Sequence, residues 1–170
     1  MDLVAVGPSD EALLLDLLNT TPVIDGIVHD SLASSAESKA WMREHGVAAT
    51  KEEGAALLEA RSVLQKVVRG EAGPKALKRF VDDVRLRPVA GPDGLDWRVD
   101  GATGAARAAL AWDALRISSP GRLRPCANSE CRLFLIDRSK PNTARWCSMA
   151  ICGNRMKARR HYRRARTVEE

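Results

Sequence analysis

All four cysteines of this chain, Cys126, Cys131, Cys147 and Cys152, lie in its last third, in two pairs. They read C-x4-C, then fifteen residues, then C-x4-C. Two short knuckles around one intervening segment are how a chain wraps a tetrahedral Zn²⁺ with four thiolates. Such a site is closed, because every corner is a sulfur at about 2.3 Å and none is left for a substrate. The alternative metal reading is an iron–sulfur cluster on the same thiolates. The alternative covalent reading is two disulfides, which a reducing compartment disfavours. Apolar residues around the knuckles suggest a hairpin followed by a helix, a treble-clef-like order. The first pair then sits on the hairpin and the second at the start of the helix, with Pro125 tightening the first knuckle.

Charge divides the chain at the same place. Of 170 residues, 1–116 carry a net charge of −4 and 117–170 a net charge of +9. A polyanion would therefore meet the second part. The stretch from Gly153 to Arg166 holds seven Lys/Arg and no acid. The first part is long enough to bury its own core. The second is too short and too polar to do so, and a metal would supply the difference. The N-terminus lacks the basic start and apolar run of a secretory signal. No stretch approaches the ~18 apolar residues of a membrane span. The expectation is a cytoplasmic protein with no membrane partner.

Hydrophobic periodicity predicts an α+β chain, mostly helical before the cysteines. A helix over Glu11–Leu18 is expected, capped by Ser9 or Asp10. Val23–Ser31 reads as a strand or a loop, with a turn at Asp25-Gly26. A helix over Ser35–His45 stops at Gly46. Thr50 and Glu53 suggest a capping box opening a helix to Arg69. Pro74 suits the first position of a helix over Lys75–Asp83. Alternation over Val84–Val89 and Leu95–Val99, around Gly91-Pro92-Asp93-Gly94, predicts a β-hairpin. An Ala-rich helix covers Thr103–Arg116, and Ser118-Ser119-Pro120-Gly121 is a linker. From Ser148 one helix can run to Arg166. The expected division is 1–116, a linker over 117–121, and 122–170. The first piece is expected to fold on its own.

The run Cys147-Ser148-Met149-Ala150-Ile151-Cys152-Gly153-Asn154-Arg155, with Lys157 and an arginine cluster behind it, resembles the CGNR zinc finger. The earlier Cys126-x4-Cys131, with Phe134, Asp137 and Arg145-Trp146-Cys147, is similar to the rest of that finger. The segment Leu15-Asp16-Leu17-Leu18-Asn19-Thr20, with Gly26, Asp30-Ser31-Leu32 and Trp41, resembles the ABATE domain that precedes it. Together these cover essentially the whole chain. The resemblance implies a bacterial, stress-related transcription regulator with a zinc-dependent DNA-binding finger.

The basic helix supports nucleic-acid binding independently. Arg155, Arg159, Tyr162, Arg163 and Arg166 gather along one broad face, with Lys157, Arg160 and Arg164 on its flank. Phosphate contacts would dominate, leaving base readout to one or two arginines. Duplex DNA is the expected partner. RNA, or an acidic protein docked on a zinc-stabilised module, are the alternatives. Arg132, Arg145 and Arg155 lie close to cysteines and are equally suited to offset the −2 charge of a four-thiolate zinc. Gly153 would let the helix pack beside the metal, and Asn154 could bind a loop backbone or a base. The N-terminal domain would sense a small-molecule effector or mediate a homodimer. Asp16 and Asn19 could line a pocket, although local capping is their commoner use. Trp41, Trp97 and Trp112 are expected in the core. Catalysis is not expected. A nuclease needs a histidine base and an open metal, and His161 lies far from the cysteines while His29 and His45 merely adjoin acids.

Overall fold

The computed structural model describes the backbone of residues 7–166 and the side chains of 7–162. Helix α1 spans Pro8–Leu18, with Pro8 at a first-turn position where no amide is missed. Its N-cap is Gly7 rather than Ser9 or Asp10. Asp10 instead lies inside the first turn, where its carboxylate accepts the Gly7 amide at 3.4 Å. The open segment after α1 forms a minimal hairpin, β1 (Val23–Ile24) against β2 (Ile27–Val28). Asp25 and Gly26 turn it with φ of 50° and 80°, the left-handed pair of a type I′ turn.

Helix α2 spans Ser35–Glu44, and its N-cap Ser34 Oγ accepts the Glu37 amide at 3.2 Å. Helix α3 spans Lys51–Arg69, and Thr50 Oγ accepts the Glu53 amide at 3.1 Å. The expected capping box is only half formed. The Glu53 carboxylate does not turn back to Thr50 but accepts the Gly104 amide at 2.6 Å. Gly104 opens helix α5, Gly104–Ser118, whose first amides have no partner within the helix. A carboxylate there also suits the helix dipole. A Cβ on Gly104 would lie 2.9 Å from Val47, so this close approach of α5 requires glycine.

Between α3 and α5 the expected single helix is a 3₁₀ turn, Pro74–Leu77, running into the short α4, Lys78–Val81. The expected hairpin follows as β3 (Arg85–Gly91) and β4 (Gly94–Asp100), joined through Pro92-Asp93. Leu86↔Val99, Pro88↔Trp97 and Ala90↔Leu95 share one of its faces. Nothing among the described residues covers that face, and Trp97 is 48% exposed. The expectation that Trp97 is a core residue is therefore corrected. Trp41 and Trp112 do pack against the core.

That core lies between α1, α3 and α5. Leu13, Leu14, Leu17 and Leu18 of α1 meet Leu57, Ala60 and Leu64 of α3, all fully or almost fully buried. Ala105, Ala108, Ala109 and Ala111 make α5 thin enough to approach both. The core does not end at residue 116. Strand β5 (Leu123–Pro125) pairs with β6 (Phe134–Ile136), and Phe134 is buried in the same cluster as the α1 leucines. Leu123 and Ile136 pack on its edge. After the polar segment 137–148, a wide π-turn over Met149–Gly153 opens helix α6, Asn154–Arg166. The helix expected from Ser148 thus begins one wide turn late, with Ser148 Oγ accepting the Ile151 amide at 3.4 Å. No helix among the described residues is long and apolar enough to cross a membrane.

Candidate metal centre and basic helix

Cys126 directly follows β5 and Cys131 precedes β6; their knuckle is closed by Cys126 N–H to Leu133 O and Cys131 N–H to Asn128 O, both 2.8 Å. Cys147 precedes the π-turn, and Cys152 lies within it. The hairpin and the helix start thereby bring all four sulfurs within 4.8 Å of one another. Cys147 Sγ is 3.7 Å from both Cys131 Sγ and Cys152 Sγ. Thiolates at the corners of a tetrahedron around Zn²⁺ lie about 3.8 Å apart, from a bond of about 2.3 Å. A disulfide would need about 2.05 Å, so the four are free thiols arranged at metal-site spacing.

The surroundings fit thiolate sulfur. Leu133 N–H points to Cys131 Sγ and Cys147 N–H to Cys126 Sγ, each at 3.5 Å. Asn128, fully buried, donates its side-chain amide to Cys152 Sγ at 3.5 Å. Burial pushes the Cys131 thiol up to about 11, and burial with neighbouring thiols pushes Cys147 higher still. At Cys152 burial acts the same way but is outweighed by the Asn128 amide and the other three thiols, so its pKa falls. Four crowded thiols resist ionising together without a cation. A bound Zn²⁺ supplies that cation and takes the thiols as thiolates.

A second buried group shapes the segment between the knuckles. Asp137, 1% exposed, accepts the amides of Ser139 and Ala144, each at 2.8 Å, and the Arg124 guanidinium at 3.2 Å. Ser139, then the Ala144 amide and Arg124, hold its carboxyl below the usual range against the cost of burial. Arg124 also bonds the Asn142 side chain. Residues 137–144 are thus folded around one carboxylate, which carries the chain to Cys147.

The arginines beside the cysteines have other contacts. Among the described residues, hydrogen bonds to these sulfurs from outside the cysteine set come from amides and Asn128. Arg145 lies over the Trp146 ring, 5.2 Å from its centroid, and its carbonyl accepts the Ala127 amide at 2.8 Å. The Arg132 carbonyl accepts Arg69 at 3.3 Å. Asn154 donates its side-chain amide to the Ala150 carbonyl, in the backbone of the π-turn, at 3.3 Å. Gly153 does sit tightly, since a Cβ there would meet Met149 Sδ at 2.8 Å and Trp146 at 3.3 Å.

On α6, Arg155, Lys157 and Arg160 are exposed, and Arg159 Nη2 pairs with Glu130 Oε2 at 2.5 Å. The side chains of Arg163, Arg164 and Arg166 lie outside the described residues. In the N-terminal part Asp16 pairs with His45 at 3.0 Å, and His45 stacks on Trp41. Asn19 neither caps α1 through its side chain nor stands free. Its amide donates to Phe134 O at 3.2 Å, and its carbonyl accepts Phe134 N–H at 2.7 Å. One side chain thus serves as the missing strand neighbour of β6 and joins α1 to the finger. The functional positions not singled out from sequence are Asn128, Glu130 and Arg124. Their signal is weak, because a polar residue beside or between cysteines reads as an ordinary surface residue until its contacts are known.

A helical domain followed by a four-cysteine site and a basic helix is the arrangement of a zinc-finger protein. The CGNR zinc finger family matches residues 122–165, and ABATE, described as "Putative stress-induced transcription regulator", matches residues 11–119. The chain belongs to the ABATE family and carries a CGNR zinc finger behind the ABATE domain. No curated protein matches it. Its cofactor is Zn²⁺, and the cysteine cluster is a site that fits it.

Proposed function

We propose that this protein is a non-catalytic transcription regulator that binds duplex DNA through helix α6, with Cys126, Cys131, Cys147 and Cys152 as the zinc ligands that position the helix. The observation that carries this reading is the seven-cation, acid-free stretch starting directly at the metal site. Zinc fixes the first turn of α6, so the helix projects from a rigid base. Phosphate contacts from among Arg155, Lys157, Arg159, Arg160, Arg163, Arg164 and Arg166 would provide most of the affinity. Such a regulator would act in the cytoplasm, as part of a stress response.

The sensing role of the ABATE domain is supported by a different feature. A cavity of about 390 Å³ lies between α1, β1 and the finger, lined by Leu15, Ile24, Phe134, Ile151 and Arg155, and it borders the zinc site through Cys131, Cys147 and Cys152. That volume is in the range of small-molecule pockets, ~300–1,000 Å³. An effector there would touch both halves of the protein at once.

The test is a titration of zinc-loaded protein against labelled duplex DNA, RNA and heparin over a salt series. Three or more phosphate contacts give a slope of log K against log salt of about −2.7 or steeper. Duplex binding tighter than RNA and heparin supports the reading. Heparin binding as tight as duplex, or no duplex binding, moves the acidic-protein alternative ahead.

A further inference from the structure

The basic helix has two faces, and only one has an acid against it. On the first lie Arg155 and Glu130, and Arg159, between the two faces, is held by Glu130 at 2.5 Å. A polyanion arriving on this face must compete with a carboxylate already in place. On the second face, Gly153, Met156, Lys157 and Arg160 recur at three, one and three residues, a single stripe of the helix. That stripe, with Arg159 beside it and Arg145 and Trp146 from the segment before the second knuckle, lines a groove of about 370 Å³. Its lining contains no acid.

Two observations show that the groove is built rather than incidental. Trp146 is packed against the helix at the one position where no Cβ intervenes, because a Cβ on Gly153 would come within 3.3 Å of its ring. The exposed Arg145 guanidinium is then laid over that ring, 5.2 Å from its centroid. Stacking restrains a long side chain that would otherwise sweep through solvent, so less freedom is lost when it binds an anion. The groove thus has a fixed cation on one wall, Lys157 and Arg160 on the other, and an aromatic surface between.

The geometry points to this groove as the seat of a phosphodiester backbone, with Arg145, Lys157 and Arg160 as its phosphate contacts, Arg159 withheld from it by Glu130, and Arg155 on the face turned away from the DNA. This rests on the DNA-binding reading above and adds Arg145, a residue outside the helix, to the interface. Trp146 acts as a positioning residue that holds Arg145.

The experiment is a salt series of zinc-loaded, full-length protein on a fluorescent DNA duplex, with zinc content measured for every variant. Arg145→Gln and Arg160→Gln should each flatten the log–log slope by about 0.9 and weaken binding about 5-fold at physiological salt. Arg145→Lys should restore the slope while losing affinity, because charge returns without the stack. Arg155→Gln should leave the slope within its error. Glu130→Gln should strengthen binding, by releasing Arg159 to the polyanion. If Arg155→Gln flattens the slope while zinc-replete Arg145→Gln and Arg160→Gln match wild type, the face assignment is overturned and DNA binding stands. If wild-type protein shows no salt-dependent duplex binding, the DNA reading itself fails and the assignment with it.

Discussion

Asn19 shows how one polar side chain can decide the relation of two domains. It gives β6 a donor and an acceptor in the geometry of a neighbouring strand, so the inner edge of that strand is not left unpaired. Asn19→Leu keeps the size but removes both bonds and leaves the Phe134 backbone groups facing apolar surface. The expected loss is about 1–3 kcal/mol in urea unfolding, the cost of a buried unsatisfied group. A second residue-scale prediction concerns acid. Arg61 binds Asp30 through two bonds of 2.7 Å, and that contact, helped by the Leu32 amide, holds the Asp30 carboxyl below its ordinary 3.8. The folded pKa is depressed, so its stabilisation is complete above 3.8 and is lost as pH falls through the folded value. Asp30→Asn should therefore lower stability near neutral pH and flatten the acid limb of the stability curve. An acid limb as steep as that of wild type in a pH series of urea midpoints would count against this pair. Neither role could be read from sequence. Asn19 and Asp30 have partners 115 and 31 residues away, and no local pattern identifies them.

At the scale of elements, the sequence is legible where the cause of an element is local. Thr50 and Gly70 bound α3 as their chemistry requires, and the Pro92-Asp93 turn closes the expected hairpin. The metal site was legible for the same reason, since cysteine spacing encodes two knuckles. Departures occur where another element intervenes. Glu53 left its own cap because the bare N-terminus of α5 lay nearby. Trp97 alternates like a core residue, yet its hairpin has no covering layer among the described residues. Helix α6 starts as a π-turn, which no periodicity of 3.6 announces. Glu53→Ala tests the crossed cap. It should cost about 1 kcal/mol, typical of a lost N-cap, and the loss should be felt at α5 rather than α3. Hydrogen exchange at the first amides of α5 is the readout. Faster exchange confined to the start of α3 would show that Glu53 acts locally after all.

For the whole molecule the decisive residue is Phe134. It lies on the strand between the two knuckles, yet its ring belongs to the cluster of Leu13, Leu14, Leu17 and Leu18, with the Arg69 guanidinium 4.6 Å above it. The finger therefore supplies part of the core of the domain before it, and zinc holds the strand that delivers this ring. Phe134→Ala should cost about 3–5 kcal/mol, as for a large aromatic removed from a closed core. The same link couples metal to the rest of the fold. A ligand present at a thousand times its dissociation constant stabilises by about 4 kcal/mol whatever it is bound to. If the finger and the helices share one core, that stabilisation reaches α1, α3 and α5, and a chelator should lower the melting point of the helices as well as unfold β5, β6 and α6. A fragment ending at residue 119 should melt below the zinc-loaded chain, close to the chelated one, because both lack an anchored Phe134. The measurement is thermal unfolding by far-UV CD, with near-UV CD following Trp41 and Trp112, on three samples: zinc-loaded, chelated and truncated. Equal helical melting points in all three would mean that the ABATE core closes without the finger. In that case Phe134 fills a space the helices can collapse into unaided.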